Sequence, residues 1–136
     1  VRYIMNDTAL ILVGHGAAGS RDPNYELLRE ETARMYEKTY LVMMHGGPSA
    51  RDVIPVLKSE GIRNAYIFPL FMSAGFHFEK DIASEDSFLR RAFSDAGIRT
   101  QLIGGGILEV PEVRKAVADH CLGRICKDTG PRDAEK

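Results

Sequence analysis

The chain has 136 residues, 44% hydrophobic and 27% charged, the balance of one globular domain with room for a proper core and none for a second domain. Its formal net charge of -1 lacks the broad basic field of a nucleic-acid binder, so nucleic acid is not expected as a partner. The longest early apolar run, Ala9 to Val13, is too short to span a bilayer or to form a signal h-region, which sets membranes aside as well.

Thr8 to Val13 is a continuous apolar run that predicts a buried strand, and Gly14-His15-Gly16-Ala17-Ala18-Gly19 follows it as a loop. Asp22 before Pro23 marks a helix start, with Tyr25, Leu28, Thr32 and Met35 on one face and an end near Lys38. Tyr40 to Met44 predicts the second strand, closed by His45-Gly46-Gly47-Pro48, and Ser49 caps a helix reaching Glu60, in which Pro55 implies a kink or a delayed start. Ala65 to Phe71 reads as a third strand covered on both faces, with Pro69 near its end, where a ladder donor can be spared. Ser84 is placed to cap the next helix, with Glu85 and Asp86 in its first turn, Phe88, Ala92 and Ala96 along its buried face and Gly97 at its close. Thr100 to Ile103 predicts the fourth strand, stopped by Gly104-Gly105-Gly106. Pro111 opens a last helix with Val113, Val117 and Cys121 inward. Residues 1–126 thus read as a single α/β domain and 127–136 as a loose polar tail.

Strands alternating with helices over the whole chain predict a flavodoxin-like three-layer α/β/α sandwich around a four-stranded parallel sheet. Ligands in such folds sit beyond the carboxyl ends of the strands, and three of the four histidines fall there: His15 after the first strand, His45 after the second, His77 after the third. The stretch Pro69 to Ile82 concentrates this chemistry, because His77 and Asp81 point the same way whether the segment is extended or helical. If the first and third strands are neighbours, His15 and His77 converge on one point, as ligands or bases must. Whether His45 joins them depends on where its strand lies in the sheet, and a structural role is the alternative. His120 shares helical spacing with Val113, Val117 and Cys121, which favours packing.

Other signals are weaker. Gly14 to Gly19 matches G-x-G-x-x-G, but Ser20-Arg21-Asp22-Pro23 delays the helix that should meet a pyrophosphate, and the second strand ends in His45 rather than an acid. A dinucleotide is therefore disfavoured. Gly104-Gly105-Gly106 reads as a turn, or as room for a flat ligand. Cys121 and Cys126 are five apart in a predicted helix, where their side chains diverge, so neither a mutual disulfide nor a C-x-x-C site is expected; a reducing, cytoplasmic setting is. Glu79 and Asp81 could draw a hydrated cation toward the histidines as auxiliary acids, Asp81 foremost.

Leu12-Val13-Gly14-His15-Gly16 and Pro69-Leu-Phe-Met-Ser-Ala-Gly-Phe-His77-Phe-Glu-Lys-Asp81-Ile resemble the class II tetrapyrrole chelatases, nearest to the small sirohydrochlorin cobaltochelatases and the anaerobic cobaltochelatases of cobalamin synthesis. The likeness covers nearly the whole chain, Gly46-Gly47-Pro48-Ser49 included. It implies an enzyme that inserts a divalent metal, Co2+ before Ni2+ or Fe2+, into sirohydrochlorin or a precorrin. The metal is then a substrate and no tightly bound cofactor is implied. In that family the histidines matching His15 and His77 bind the metal and are implicated in taking the pyrrole protons; His45 stands where some two-lobed relatives have a glutamate and would add a third ligand. Arg21, Arg51 and Lys80 are candidates to pair with the macrocycle's peripheral carboxylates, with Gly14, Gly16 and Gly75 beside them at the binding rim. Because the chain has the content of one lobe, a homodimer facing across the cleft is expected. The competing readings are a non-catalytic metal or tetrapyrrole carrier and a nucleotide-binding module.

Overall fold

The computed structural model describes residues 5–16, 22–73 and 82–130. Among the described residues four segments form one sheet, the first three of them largely apolar: β1 (Thr8–Gly14), β2 (Thr39–Met43), β3 (Asn64–Pro69) and the more polar β4 (Arg99–Leu102). All pairings are parallel and the order is β2-β1-β3-β4, so β1 is central and touches both β2 and β3. Helices α1 (Pro23–Ala33), α2 (Ala50–Ser59), α3 (Phe88–Asp95) and α4 (Pro111–Thr129) follow the strands in turn, giving the α/β architecture read from the sequence.

The period-2 alternation of the strands divides the apolar residues between two faces. Ala9, Ile11 and Val13 of β1 and Ala65 and Ile67 of β3 meet Val53 and Leu57 of α2 and Leu89 and Phe93 of α3 in the larger core. Leu12, Leu41 and Met43 point to the opposite face, where Tyr25 of α1 packs beside them. That second face is only partly covered. Tyr66 is exposed and the flanking Leu10, Phe68 and Leu70 are half-buried, although the apolar run of β3 predicts cover on both sides.

Helix boundaries depart from the sequence pattern for local reasons. Asp22 caps α1 through the Asn24 N–H, but the helix stops at Ala33 rather than near Lys38, because Tyr36 is drawn to the sheet, where its hydroxyl donates to the Thr8 carbonyl at 2.6 Å. Leu28 and Met35, read as sharing one helix face with Tyr25, are exposed. A reciprocal capping box between Ser49 and Asp52 starts α2 at once, so Pro55 neither delays nor interrupts it; the proline is exposed, and the Arg51 carbonyl it leaves unbonded lies on an exposed residue. Ser87, not Ser84, caps α3. Its buried hydroxyl donates to the Ile82 carbonyl while accepting the Arg90 N–H, which puts Glu85 and Asp86 before the helix and turns Leu89 and Phe93 inward; Phe88 is exposed. The Arg90 guanidinium then binds the carbonyls of Ala83 and Thr100 and the Thr100 hydroxyl, tying the approach to α3 onto β4. The last helix continues through Thr129, past Lys127, and buries none of its residues; Val117, His120 and Cys121, expected to pack, are exposed. The two cysteines are free.

Two expectations follow from this packing. Phe93 is fully buried at the centre of the larger core, so Phe93→Ala should lower the unfolding free energy by about 3–5 kcal/mol in urea titration. Hydrogen bonds from the Ser49 N–H and hydroxyl hold the Asp52 carboxyl below its ordinary pKa. A pKa lower in the folded than in the unfolded state adds stability that is present above the unfolded value and is lost as pH falls through the folded value. Asp52→Asn should therefore be less stable than the parent at neutral pH, with the difference closing in acid; a difference that is flat with pH would remove the carboxylate from the cap.

Candidate active site

Parallel pairing continues past the last strand residues. The Leu70 N–H donates to the Val13 carbonyl at 2.7 Å, Met44 N–H to Gly14 at 2.8 Å and His45 N–H to His15 at 2.9 Å. The β1–β2 ladder is thus carried one step beyond Gly14 and Met43, and it sets His15 and His45 side by side at the carboxyl rim. Their ring centroids are 4.8 Å apart with planes tilted by 59°. The Phe71 ring stands edge-on to His15 at 6.0 Å, bringing the exit of β3 to the same point.

Glycines make this approach possible. A Cβ on Gly14 would lie 2.6 Å from Tyr25 Cε1 and 2.8 Å from Met43 Sδ, and one on Gly16 would fall on the His45 carbonyl. Gly16, Gly46 and Gly47 all have positive φ, which only glycine adopts without strain. The loop after His45, whose Gly47–Pro48 bond is cis, folds back so that the Pro48 carbonyl accepts the Met43 N–H at 2.7 Å. Gly14 and Gly16 of the literal glycine fingerprint thus serve to pack two histidine loops. Gly106 plays a similar part below β3: a side chain there would strike Met72 and Ser73, whereas Ile107 N–H now donates to the Phe71 carbonyl at 2.7 Å.

His15 Nδ1 lies 2.8 Å from the Gly16 carbonyl. A carbonyl only accepts, so this nitrogen carries the proton and the Nε2 lone pair is left for a metal or an incoming proton. Both imidazoles are exposed to a cleft of about 1100 Å³ that opens between the starts of α1 and α2. Its lining includes the apolar Tyr25, Leu41 and Met43, and the acids Asp22, Glu26 and Asp52. Each of those acids is engaged by its own helix: Asp22 and Asp52 as caps, Glu26 with Arg29 at 2.6 Å. Among the described residues no set of three or more His, Cys, Asp or Glu side chains is arranged around a common metal position.

Of the residues singled out in the sequence, His15, His45, Gly14 and Gly16 come together here. Arg51 is exposed in the first turn of α2 and is absent from the cleft lining. Arg21, Gly75, His77, Glu79, Lys80 and Asp81 lie outside the described residues. Sequence patterns did not single out Met43 or Phe71 as site residues; both sit in apolar runs that read as core, and only the register shows where they emerge. Asp22 and Asp52 were reachable through the rule that helices following parallel strands begin at the carboxyl rim.

A family model described as cobalt chelatase (CbiK) matches residues 1–125. The sirohydrochlorin cobaltochelatase CbiKC of Nitratidesulfovibrio vulgaris is 26% identical over 80 residues, 59% of this chain and 28% of the relative. A sirohydrochlorin cobaltochelatase of Salmonella typhimurium is 26% identical over 112 residues, 82% of this chain and 42% of the relative. The matched part of the chain thus spans less than half the length of either curated relative. A solved CbiX protein of Marinobacter aquaeolei, assigned to cobalamin (vitamin B12) biosynthesis, superposes with a TM-score of 0.76 at 24% identity, covering 88% of this chain and 98% of the other, and shows that the fold is shared. With the family model matching all but its last residues, the chain belongs to the cobalt chelatase (CbiK) family.

Proposed function

We propose that the chain inserts a divalent metal, Co2+ first, into sirohydrochlorin or a related precorrin; two curated relatives are named sirohydrochlorin cobaltochelatases. The apposition of His15 and His45 over an apolar-floored cleft is the observation that carries this reading. Neutral imidazole is a borderline ligand suited to cobalt, nickel and iron, and a two-imidazole grip with open positions holds an ion without trapping it. His77, which follows β3 in the sequence, would complete the set.

Insertion exchanges one M2+ for two pyrrole protons, so the site must release a cation and accept protons in turn. The His15 Nε2 lone pair can do both. While it ligates the ion it is unavailable as a base; once the ion passes to the macrocycle nitrogens, the same lone pair takes one pyrrole proton, and His77 takes the other. The Nδ1–H bond to the Gly16 carbonyl steadies the imidazolium that results. Tyr25, Leu41 and Met43 offer an apolar floor to a macrocycle face, while the carboxylates Asp22, Glu26 and Asp52 favour the incoming cation and disfavour the acidic periphery of the ring. Arg21, Arg51 and Lys80 would pair with that periphery, and Glu79 and Asp81 would assist in drawing the hydrated ion. A facing second copy would close the cleft.

The test is an anaerobic absorption assay with sirohydrochlorin and Co2+, Ni2+ or Fe2+. The parent should accelerate conversion over the spontaneous reaction, fastest with Co2+. His15→Ala and His77→Ala should each cut kcat about 100-fold or more, the span of a lost general base, and His45→Ala should chiefly raise the KM for metal. Tight binding of metal or tetrapyrrole with no acceleration by any metal would leave a carrier instead.

A further inference from the structure

His15 is an exposed residue, and among the described residues three contacts hold its imidazole: the bond to the Gly16 carbonyl, the His45 ring at 4.8 Å and the Phe71 ring at 6.0 Å. The three differ in what stands behind them. Gly16 belongs to the same loop as the ring it restrains, and His45 is itself exposed, so neither is fixed independently of the site. Phe71 is half-buried and packs against the larger core. It is absent from the cleft lining, so its ring backs the imidazole from the β3 side and does not face what the cleft holds.

The backbone at Phe71 is pinned from two directions. The Leu70 N–H bond to the Val13 carbonyl, at 2.7 Å, ties the preceding residue to β1. The Phe71 and Met72 carbonyls accept from Ile107 and Leu108 at 2.7 and 3.1 Å, which ties the exit of β3 to the single turn Ile107–Glu109. That turn comes so close because Gly106 has no side chain: a Cβ there would lie 2.3 Å from Ser73 Cα and 2.6 Å from the Met72 carbonyl oxygen. Both clashes are with backbone, so no flexible group can yield to relieve them.

We propose that Phe71 is a positioning residue for His15, its core-seated ring, clamped by the Gly106 turn, acting as the stop that sets the angle at which the imidazole presents Nε2. An exposed histidine left to itself populates several rotamers, and ordering it opposes every binding event. Edge-to-face contact with a ring that cannot move removes that freedom beforehand. The consequence for metal insertion rests on the chelatase reading above, whereas the restraint on the ring does not.

Two measurements keep these apart. In metal-free protein, three-bond couplings about the His15 Cα–Cβ bond, read by NMR, should report one rotamer in the parent, averaging in Phe71→Leu, and one rotamer again in Phe71→Tyr, which restores the ring. Gly106→Ala should also give averaging, with Phe71 itself unchanged. In a Co2+ titration followed by d–d absorption, Phe71→Leu and Gly106→Ala should weaken binding about 3- to 10-fold, the span of one aromatic contact, and alter the bands. Phe71→Tyr should match the parent, as should Leu108→Ala, a change at an exposed position on the same turn. Averaging in the parent, a single rotamer retained in Phe71→Leu, or Co2+ binding that is unchanged by loss of the ring would each overturn the proposal. Restraint of His15 by Phe71 in a parent that accelerates insertion of no metal supports the positioning and counts against the chelatase reading alone.

Discussion

The parallel register that β1 keeps with both neighbours is the constraint on which the site depends. Because β1 is central, its carboxyl end is flanked by the ends of β2 and β3, and three successive backbone hydrogen bonds from Leu70, Met44 and His45 extend that alignment beyond the strands themselves. A slip of one residue would turn His15 away from His45 and reverse which β1 side chains meet the core. Ala9, Ile11 and Val13, buried beneath α2 and α3, make such a slip costly, so the same apolar alternation that holds the domain together also aims its histidines.

Around that register the glycines and caps act as spacers. Gly14 admits Tyr25 and the Met43 thioether beneath the loop, Gly16 lets the loop pass over the His45 carbonyl, and Gly46 and Gly47 turn the second histidine loop back onto its own strand. Asp22 and the Ser49–Asp52 box begin α1 and α2 at the cleft margin, placing carboxylates near the imidazoles without spending them as ligands. On the proposed function, fixed acids would attract a cation that few neutral groups ligate directly, an arrangement suited to transient occupancy.

Much of this was legible in the sequence because strands buried in a parallel sheet are continuous apolar runs, and Thr8 to Val13 and Tyr40 to Met44 are such runs. The placing of His15 and His45 at one rim followed from strand direction alone. What the sequence did not carry was order. Whether His45 lay beside His15 turned on β2 pairing with β1, a long-range contact that no local pattern records. Ser87 won over Ser84 as a cap because the Ile82 carbonyl, distant from any helical signal, bonds its hydroxyl. Val113, Val117 and Cys121 share a helical face, but spacing says only which residues lie together, not whether anything covers them.

The central claim is that His15 and His45 grip one metal ion through the His15 Nε2 lone pair. A crystal of the protein loaded with Co2+ under anaerobic conditions, with anomalous data collected on either side of the cobalt edge, tests it most directly. The account requires one cobalt peak about 2.0–2.2 Å from His15 Nε2, with a ring nitrogen of His45 at a similar distance. A cobalt peak ligated through His15 Nδ1, or one at the rim that touches neither imidazole, would contradict it.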